Sequence, residues 1–450
     1  MIMYDVLVIG CGPGGYAAAL QAAKKGGKVA IVEASKPGGT CVNAGCIPCK
    51  IWTKASDFVT SVQSIQAFGI KAEIKNIAYK TIVERKDNVA GDIQTGMASL
   101  LDNRGVELIK GKAVFKSPTS VTVDGKTLES KTVIIATGSS LDIPKVKGLD
   151  KAFMTTDDFL DMTEIPESVL VLGAEYIEIE IASILNAFGC KVVMATSARR
   201  ILQREDQEIS QRIKQSLVQQ GIEILTGLAL ESVSPQKSMF DCLLSGAKEQ
   251  TVSASRVLVS SRKANTADLG LSEIGLTLRE DGSIPVNDYL ETNVTGIYAI
   301  GDVAGEWMLS HEASSMGMIA AENSMGGSTG FNRNLIPRGL WSAPEMGCVG
   351  MSEAEAEKNG FDVEVGTYPY AISGYAMGRD EQDGVVKIIA DSRYDEILGV
   401  HIVGKHAVEI VGEAVMAMQL ECTSKELAKS IRLHPTFSEI VIDAAKGIEF

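Results

Sequence analysis

The first thirty residues constrain the fold most strongly, because they predict a strand, a glycine-rich turn, a helix and a second strand. The apolar run Val6 to Gly10 is followed by CGPGG, which gives the spacing GxGxxG at residues 10, 12 and 15. An alanine-rich helix is predicted from about Gly14 to Lys25, and the next strand, KVAIVE, ends in Glu33. In this pattern the glycines let the backbone turn tightly beside a pyrophosphate, and the acid accepts hydrogen bonds from a ribose. The sequence therefore predicts an N-terminal dinucleotide-binding domain.

The composition indicates a protein of several domains without a nucleic-acid surface. The chain has 450 residues, of which 45% are hydrophobic, so about two to four domains are expected. Its net charge of -14 argues against binding to nucleic acid. No apolar run approaches the ~18 residues of a membrane span, and no signal peptide precedes the first strand, so we expect a cytoplasmic protein that does not enter membranes. Eight cysteines are too few for a disulfide scaffold, and no metal site is predicted.

The second informative stretch is GGTCVNAGCIPCK, residues 38–50, which places Cys41 and Cys46 five residues apart. In an ideal helix their Cα atoms would lie roughly 8.6 Å apart, beyond the ~7 Å limit for a disulfide. A bond between them therefore requires a distorted helix start, which Asn43 and Gly45 permit. Such a bond near a helix N-terminus would be labile and redox-active. The alternative is a pair of unbonded, buried cysteines.

A second strand, turn and helix unit begins at Ser168, continues VLVLGAEYIEIEIASIL, and suggests an internal duplication. Its fingerprint is altered, because alignment of Gly173 with Gly10 places Glu175 and Glu178 at the second and third glycine positions. Glu175 would stand where a pyrophosphate approaches and would repel its phosphates, and Glu178 would crowd the helix against the sheet. The second unit is therefore predicted to bind a dinucleotide poorly.

The residues behind the second strand of this unit leave two interpretations open. Thr196 stands where an acid would hold an adenosine ribose. Three arginines come next, and they would either bind a 2′-phosphate or remain solvated surface charges. These residues are Arg199, Arg200 and Arg204.

Residues 52–103 are predicted to be helical, since apolar residues recur there at helical spacing. We interpret this apolar stripe as ordinary core packing. Its members are Phe58, Val62, Ile65, Val89, Ile93, Met97 and Leu100.

Two later segments place polar groups where they can serve chemistry. The strand Tyr298 to Ile300 ends just before Asp302, and an acid at a strand end in an α/β sheet can meet a ligand hydroxyl. From about residue 336 the pattern becomes that of a separate α+β domain. There His434 is followed five residues later by Glu439. A carboxylate can orient the ring and raise its basicity, although a lone histidine is more often structural.

Five motifs together resemble the flavin-dependent pyridine-nucleotide disulfide oxidoreductases, and the resemblance covers essentially the whole chain. Besides GGTCVNAGCIPCK and GCGPGG they are ATGS (136–139), IYAIGD (297–302) and HPTFSE (434–439). The stretch from YPYAISGYAMGRDEQDGVVKI to LHPTFSEIV is most similar to dihydrolipoamide dehydrogenases. The resemblance implies an α/β fold with two Rossmann-like dinucleotide-binding domains and a C-terminal α+β dimerisation domain. The implied boundaries are 1–145 and 266–335 for FAD binding, 146–265 for the NAD(P)-binding-like domain and 336–450 for dimerisation.

The resemblance also implies a homodimer that binds FAD. His434, held by Glu439, would reach the active site from the partner subunit and take a proton from the attacking dithiol. The cofactor-binding residues would be Gly10, Gly12, Gly14, Gly15, Glu33, Gly39, Thr40, Lys50, Ala113, Thr137, Gly138, Ser139, Gly301, Asp302, Met308, Leu309 and His311.

In the same family the two cysteines have separate roles. By resemblance, Cys46 would touch the flavin and Cys41 would exchange with the disulfide substrate. Lys50, paired with Glu180, would lie near the reactive nitrogen of the flavin. Chemically this set is coherent, because a thiolate attacks a disulfide sulfur, a base moves the proton and a flavin takes the electron pair.

Several positions depart from the family pattern. Glycines stand in the family at the two altered positions of the second fingerprint, and the loop usually written GRRPNT is here SRKANT, residues 261–266. Tyr176 matches the aromatic residue at the nicotinamide position of some members. Cys49 replaces a serine or threonine and lies three residues from Cys46, so a competing disulfide and quiet burial of Cys49 both remain open.

Three functions follow from these observations. The first is an FAD-dependent dithiol/disulfide oxidoreductase of the dihydrolipoamide dehydrogenase type, acting on lipoamide or another disulfide. In it, exchange with NAD(H) would be weakened or lost, and electrons would pass to or from another protein such as an iron-sulfur carrier. The second is ordinary NAD(P)H-dependent activity, with the arginines recruiting NADPH. The third is a flavoprotein subunit without turnover.

Overall fold

The structure is a computed structural model that describes residues 3–448. Its strands are β1 (Met3–Ile9), β2 (Val29–Glu33), β3 (Glu107–Lys110), β4 (Ala113–Ser117), β5 (Ser120–Val123), β6 (Lys126–Ile135), β7 (Ser139–Leu141), β8 (Phe153–Thr155), β9 (Ser168–Leu172), β10 (Lys191–Thr196), β11 (Glu223–Thr226), β12 (Leu228–Gln236), β13 (Met239–Gly246), β14 (Gln250–Ala254), β15 (Arg256–Val259), β16 (Arg262–Ala264), β17 (Ile297–Ala299), β18 (Arg338–Leu340), β19 (Met346–Gly350), β20 (Val363–Pro369), β21 (Val385–Asp391) and β22 (Ile397–Val403). Its α-helices are α1 (Pro13–Lys24), α2 (Gly39–Asn43), α3 (Cys46–Ser64), α4 (Tyr79–Asn103), α5 (Thr156–Leu160), α6 (Tyr176–Ala187), α7 (Gln207–Gln219), α8 (Ser310–Ser324), α9 (Glu353–Lys358), α10 (Gly374–Gly378), α11 (Ala407–Gln419), α12 (Ser424–Lys429) and α13 (Glu439–Lys446). Within the described residues, no helix is both long and apolar enough to cross a membrane.

Seven strands form the first sheet, in the order β3-β2-β1-β6-β5-β4, with β17 paired to β6. β1 runs parallel to both of its neighbours, and Val6, Leu7 and Val8 are completely buried. Strands that are covered on both faces are continuously apolar rather than alternating. α1 starts directly after the glycine turn and packs on α8. The strand, turn, helix and strand predicted for the N-terminus are therefore confirmed.

The second sheet repeats this arrangement, with the order β11-β10-β9-β15-β8. β9, α6 and β10 follow one another in the chain, and β9 pairs with β10 in parallel. A smaller antiparallel sheet, β12-β13-β14, follows in the chain. The predicted duplication of the strand, turn and helix unit is confirmed by this topology.

The third large sheet is antiparallel and has the order β18-β19-β22-β21-β20. Every residue of β21 and β22 is buried, and α11 and α13 pack against the sheet. The chain is thus an α/β protein with two dinucleotide-binding-like units and an α+β domain near its C-terminus. The domain boundaries given above stay a prediction.

The apolar stripe predicted between residues 52 and 103 is only partly packed into the core of the single chain: Met97 packs against the core of the first sheet, whereas other members are exposed. The region forms α3, a short 3-10 helix at Ile65–Phe68 and α4, and residues 69–78 before α4 are neither helix nor strand. Phe58 is 63% exposed and Leu100 is 38% exposed, and no member of the stripe is fully buried. Helical spacing shows that residues share one face of a helix but does not show what covers that face.

Candidate active site

The two cysteines of the central motif lie on different helices. α2 ends at Asn43, and the backbone leaves the helical region at Ala44 and Gly45, with φ of -149° and -152°. α3 then starts at Cys46. The side-chain amide of Asn43 donates to the backbone carbonyls of Pro37 and Gly39, which ties the end of α2 back to its start. The break is the distorted helix start that such a bond requires; in this structure both cysteines are free thiols, close enough for a hydrogen bond between them to shift their pKa values.

Cys46 begins one helix and contacts the first residue of another. It is the first residue of α3, and its sulfur is 3.1 Å from the hydroxyl of Ser310, the first residue of α8. A helix N-terminus favours a thiolate. The hydrogen bond with Cys41 lowers the pKa of Cys46 to about 6; burial opposes this shift, and Ser310 and Lys50 support it. The pKa of Cys41 is raised by the same hydrogen bond and by burial, so Cys46 is the more acidic thiol of the pair.

Lys50 and Glu180 form an ion pair at 2.6 Å, as the family resemblance implies. Lys50 lies on α3, one turn after Cys46, and Glu180 lies on α6. Burial opposes the charge on Lys50, but the Glu180 carboxylate outweighs burial and raises the pKa of Lys50. The thiol of Cys49 donates to the same carboxylate oxygen at 3.4 Å, and burial raises its pKa. These contacts favour a protonated, partly buried Cys49 over a competing disulfide.

The first glycine turn leaves room for a dinucleotide. A Cβ atom at Gly10 would lie 2.3 Å from the carbonyl oxygen of Ala136, and one at Gly15 would lie 1.9 Å from that of Gly10, so both positions require glycine. At Gly12 the nearest atom to such a Cβ is 3.8 Å away, so the protein leaves this space open. Gly12 is the N-cap of α1, and no side chain caps that terminus. The free N–H groups and the open turn fit the pyrophosphate of FAD.

Glu33 and two further glycines complete the first turn. The carboxylate of Glu33 accepts hydrogen bonds from the backbone of Cys11 and Ser35, at 2.7 and 2.8 Å. It therefore lies against the glycine turn, where the ribose of a dinucleotide is expected. A Cβ at Gly14 would lie 2.9 Å from a carbonyl oxygen of α8, and one at Gly39 would lie 2.8 Å from the backbone of the turn. Close backbone packing thus accounts for both glycines.

A chain of polar contacts links other predicted cofactor residues. Asp302 accepts a hydrogen bond from Ser139 at 2.5 Å, and Ser139 accepts one from Arg262 at 2.8 Å. Arg262, which the sequence did not single out, also donates to Thr40 at 3.1 Å. Thr137 donates to a backbone carbonyl of the SRKANT loop. The remaining predicted residues lie beside strand ends or at the start of α8, and their contacts with FAD stay predictions: Ala113, Gly138, Gly301, Met308, Leu309 and His311.

The second turn is filled by its own side chains. The carboxylate of Glu178 accepts hydrogen bonds from the backbone N–H of Glu175, the N-cap residue of α6, at 2.9 Å and from the hydroxyl of Ser260. A Cβ atom at Gly173 would lie 2.9 Å from Glu178, which shows how closely this side chain packs in the turn. Burial raises the pKa of Glu178. The Glu175 side chain in turn accepts the N–H of Gln203 at 3.0 Å. The backbone N–H of Glu175 and the space beside Gly173 are therefore occupied by the Glu178 side chain.

The three arginines behind the second sheet have different surroundings. Arg200 donates to three nearby backbone carbonyls. The guanidinium of Arg204 lies 3.3 Å from the ring centre of Trp307. Arg199 is exposed. Arg200 and Arg204 thus make contacts within the protein. For Arg199, binding of a 2′-phosphate and a solvated surface charge both stay open.

Tyr176 is held by a buried ion pair. Its hydroxyl donates to Glu205, which also accepts two hydrogen bonds from Arg338 on β18, at 2.7 and 3.1 Å. Arg338 in turn lies 4.8 Å from the ring centre of Trp307. Burial and the nearby Glu205 raise the pKa of Tyr176. The aromatic residue that matches the nicotinamide position is therefore fixed between the second and third sheets.

His434 and Glu439 form the predicted pair. The Nδ1 atom of His434 is 3.0 Å from Oε1 of Glu439, and the His434 side chain is 82% exposed. Ile431 and Leu433 nearby are 95% and 80% exposed. Among the residues that the structure describes, no hydrogen bond or ion pair joins His434 to either active-site cysteine. The imidazole therefore lies on an apolar surface that the single chain does not cover.

Comparison with known proteins agrees with this geometry. The pyridine nucleotide-disulphide oxidoreductase family model matches residues 4–317, and the model of its dimerisation domain matches residues 336–445. The chain is 36% identical to the dihydrolipoyl dehydrogenase of Bacillus subtilis (strain 168), covering 98% of this chain and 97% of the relative. It is 35% identical to that of Thermus scotoductus (strain ATCC 700910 / SA-01), covering 100% and 98%.

A solved structure supports the same assignment. The HOCl-induced flavoprotein disulfide reductase RclA from Escherichia coli has a TM-score of 0.87 and 26% identity to this chain, covering 99% of this chain and 100% of that chain. Proteins of this family use FAD, and the open first turn fits that cofactor. The chain belongs to the pyridine nucleotide-disulphide oxidoreductases and is an FAD-dependent disulfide oxidoreductase of the dihydrolipoyl dehydrogenase type.

Proposed function

We propose that this enzyme oxidises or reduces a lipoamide-like dithiol/disulfide pair with little or no exchange with NAD(H). A second protein, such as an iron-sulfur carrier, would then deliver or remove the electrons. The observation that carries the proposal is the Glu178 carboxylate, which accepts the N–H of Glu175 at the start of α6. An anion cannot use a helix N-terminus that a carboxylate already occupies without first displacing that carboxylate.

The contrast between the two turns supports this proposal. α1 and α6 each have 12 residues and follow the first strand of their unit. The start of α1 is open at Gly12 and lacks a side-chain cap, whereas the start of α6 carries two carboxylates. Negative charge at this point repels the phosphates of NAD(H) as well as filling their space. One turn is therefore suited to a dinucleotide and the other is not.

The remaining site residues support dithiol chemistry. In the oxidised enzyme a substrate thiolate attacks the sulfur of Cys41, and the Cys41–Cys46 bond breaks to leave Cys46 as a thiolate. The second substrate thiol then attacks the mixed disulfide, which frees Cys41 and closes the substrate disulfide. His434, oriented by Glu439, accepts the proton of the attacking thiol at Nε2. FAD, when bound, supplies the acceptor for the electron pair.

We further propose that His434 acts in the site of the partner subunit. The match to the family's dimerisation domain and the relatives indicate a homodimer. The exposed apolar residues beside His434 and the half-exposed stripe on α3 and α4 support a second copy as their cover, because contiguous apolar surface of this kind marks an interface. The active site would then be complete only in the dimer.

An anaerobic titration of the FAD-loaded enzyme tests the proposal. Reduced lipoamide is expected to bleach the flavin absorbance, and this bleaching should be absent in Cys41→Ser. NADH and NADPH at micromolar concentrations are expected to leave the absorbance unchanged over the same time. Rapid reduction by either nucleotide would refute the loss of nucleotide exchange, and failure of reduced lipoamide would point to another disulfide substrate or to a subunit without turnover.

Ordinary NADPH-dependent activity is the second candidate, and the exposed Arg199 is the observation that favours it. The double substitution Glu175→Gly, Glu178→Gly separates the two candidates. Under the first proposal it should speed flavin reduction by NADH or NADPH strongly, because it opens the turn and removes two negative charges. Under the second it should change the rate little.

A further inference from the structure

We propose that Trp341 is a positioning residue for Lys50, holding its ammonium group against Glu180 one helical turn after Cys46 on α3. The inference rests on the roles proposed above for Lys50 and Cys46. Neither the family motifs nor the spacing of residues in the sequence singled out this tryptophan.

Trp341 contacts both members of the ion pair. Its ring centre lies 4.0 Å from Nζ of Lys50, and its backbone N–H donates to Glu180 at 3.1 Å. The other oxygen of Glu180 accepts the Lys50 ammonium group at 2.6 Å. The ammonium group therefore contacts both a carboxylate and an aromatic ring. Trp341 supplies the ring and also holds the carboxylate through its backbone N–H.

Such a hold matters because lysine is a flexible side chain. Ordering a lysine side chain costs conformational entropy, and a single ion pair with one carboxylate leaves several rotamers available. A cation above a tryptophan face is attracted by the ring quadrupole, and this attraction is greatest where water is excluded. The Lys50 side chain is 29% exposed, so it is partly shielded from water, and the ring both attracts its charge and restricts its movement.

The residues around Trp341 leave room for its indole ring beside Lys50. A Cβ atom at Gly339, two residues earlier, would lie 3.2 and 3.3 Å from two carbons of the Trp341 ring, so a glycine makes room for the indole. Trp341 itself is 37% exposed, and it lines a cavity of about 320 Å³ between α3 and the third sheet. A side chain that served only to fill the core would be buried on all sides. Here one contact of the ring is Lys50 while part of the indole remains open.

Three parts of the chain meet at this contact. Lys50 comes from α3, Glu180 from α6 and Trp341 directly after β18. The charge on Lys50 is one of the influences that support the thiolate at Cys46. The third sheet therefore contributes to the redox centre through an aromatic ring, in addition to its proposed role in dimerisation.

Labelling of Lys50 tests the proposal without reference to turnover. The FAD-loaded, reduced protein is treated anaerobically with an amine-modifying reagent, and each lysine is followed by mass spectrometry. In Trp341→Leu, which keeps the backbone N–H but removes the ring, Lys50 should be modified several-fold faster than in the wild type. In Trp341→Phe the rate should stay close to that of the wild type. Lys54, which lies 4.9 Å from the ring of Phe58 on the same helix, is the internal reference and should not change.

A second readout follows Cys46. The pH midpoint of its alkylation should rise by about half a unit in Trp341→Leu, because a mobile Lys50 supports the thiolate less. A lower melting temperature with unchanged Lys50 labelling and unchanged Cys46 midpoint would show a purely structural role and overturn the proposal.

If Trp341→Leu does not fold, Gly339→Ala displaces the ring instead; faster labelling of Lys50 supports the proposal and an unchanged rate overturns it. Failure of the proposed function would appear separately, in the dithiol titration.

Discussion

At the scale of single residues, the site divides into positions that spacing predicts and positions that only the fold brings together. The pairing of Cys41 with Cys46 was expected from the family resemblance, and their spacing added that a bond between them requires a break in the helix. Ser310 contacts Cys46 from 264 residues away, and no local pattern marks a serine as the partner of a distant thiol. Trp341 was missed for the same reason. Contacts between remote segments depend on how the sheets pack, which a residue pattern does not contain.

Ser310 should set part of the acidity of Cys46. In Ser310→Ala the pH midpoint of Cys46 alkylation should rise from its value near 6 by about half a unit to one unit, since the thiolate loses a hydrogen-bond donor. The reactive thiolate predominates above the pKa, so the rate at pH 6 should fall while the rate at high pH stays the same. Ser310→Thr should restore the midpoint. Ser314→Ala, one turn along the same helix, is the matched control, and an equal shift in that variant would contradict the assignment.

At the scale of elements, the start of α6 shows what the sequence could and could not predict. The altered fingerprint correctly indicated that Glu175 and Glu178 stand in the place of glycines. It also predicted that Glu178 would crowd the helix against the sheet, whereas the structure turns this side chain back onto the backbone N–H of Glu175. A carboxylate in the first turn of a helix has a favourable partner there. The charge of a side chain is visible in the sequence, but its rotamer is not.

Glu178 should make stability depend on pH. Burial raises its pKa in the folded protein, so its contribution is fully favourable only below the unfolded pKa and is lost as the pH rises through the folded value. Glu178→Gln keeps an acceptor for Glu175 and a donor for Ser260 without the charge. As the pH rises from 5 to 8, the wild type should therefore lose unfolding free energy relative to Glu178→Gln, as measured by urea denaturation. A difference that does not vary with pH would contradict this account.

At the scale of the whole molecule, a row of side chains joins the second and third sheets. Arg338, Cys348, His401 and Lys387 lie opposite one another on four neighbouring strands. Arg338 pairs with Glu205 at 2.7 Å and Lys387 pairs with Asp206 at 3.1 Å, across the boundary between the sheets. The sequence predicted both sheets from their apolar patterns. It did not predict this contact, because charged residues in strands look like exposed positions until their partners are known.

Removing one partner from this row should destabilise the protein strongly. Arg338→Leu leaves Glu205 buried without its counter-ion, and the expected loss is about 3–5 kcal/mol of unfolding free energy. Glu205→Gln in the same background should recover part of the loss. Arg212→Leu, which breaks an exposed pair with Glu208 at 2.8 Å, is the matched control and should cost less than about 1 kcal/mol. Equal losses in Arg338→Leu and Arg212→Leu, measured in urea, would show that burial is not the cause.

The proposed sharing of the active site between subunits can be tested with hybrid dimers. Cys41→Ser and His434→Gln should each be inactive as homodimers, because each lacks a group needed at both sites. After unfolding and refolding of an equal mixture, half of the dimers should be hybrids with one intact site, giving about a quarter of wild-type dithiol oxidation. Recovery of no activity from a properly refolded mixture would place His434 and the cysteines in the same chain's site.

The break between α2 and α3 has a consequence for the redox cycle. Since the helix is already interrupted between Cys41 and Cys46, forming or breaking a bond between their sulfurs does not have to bend a continuous helix. The oxidised and reduced molecules would then share one backbone path at this point, and the carrier of the proposed function would meet the same surface before and after each transfer.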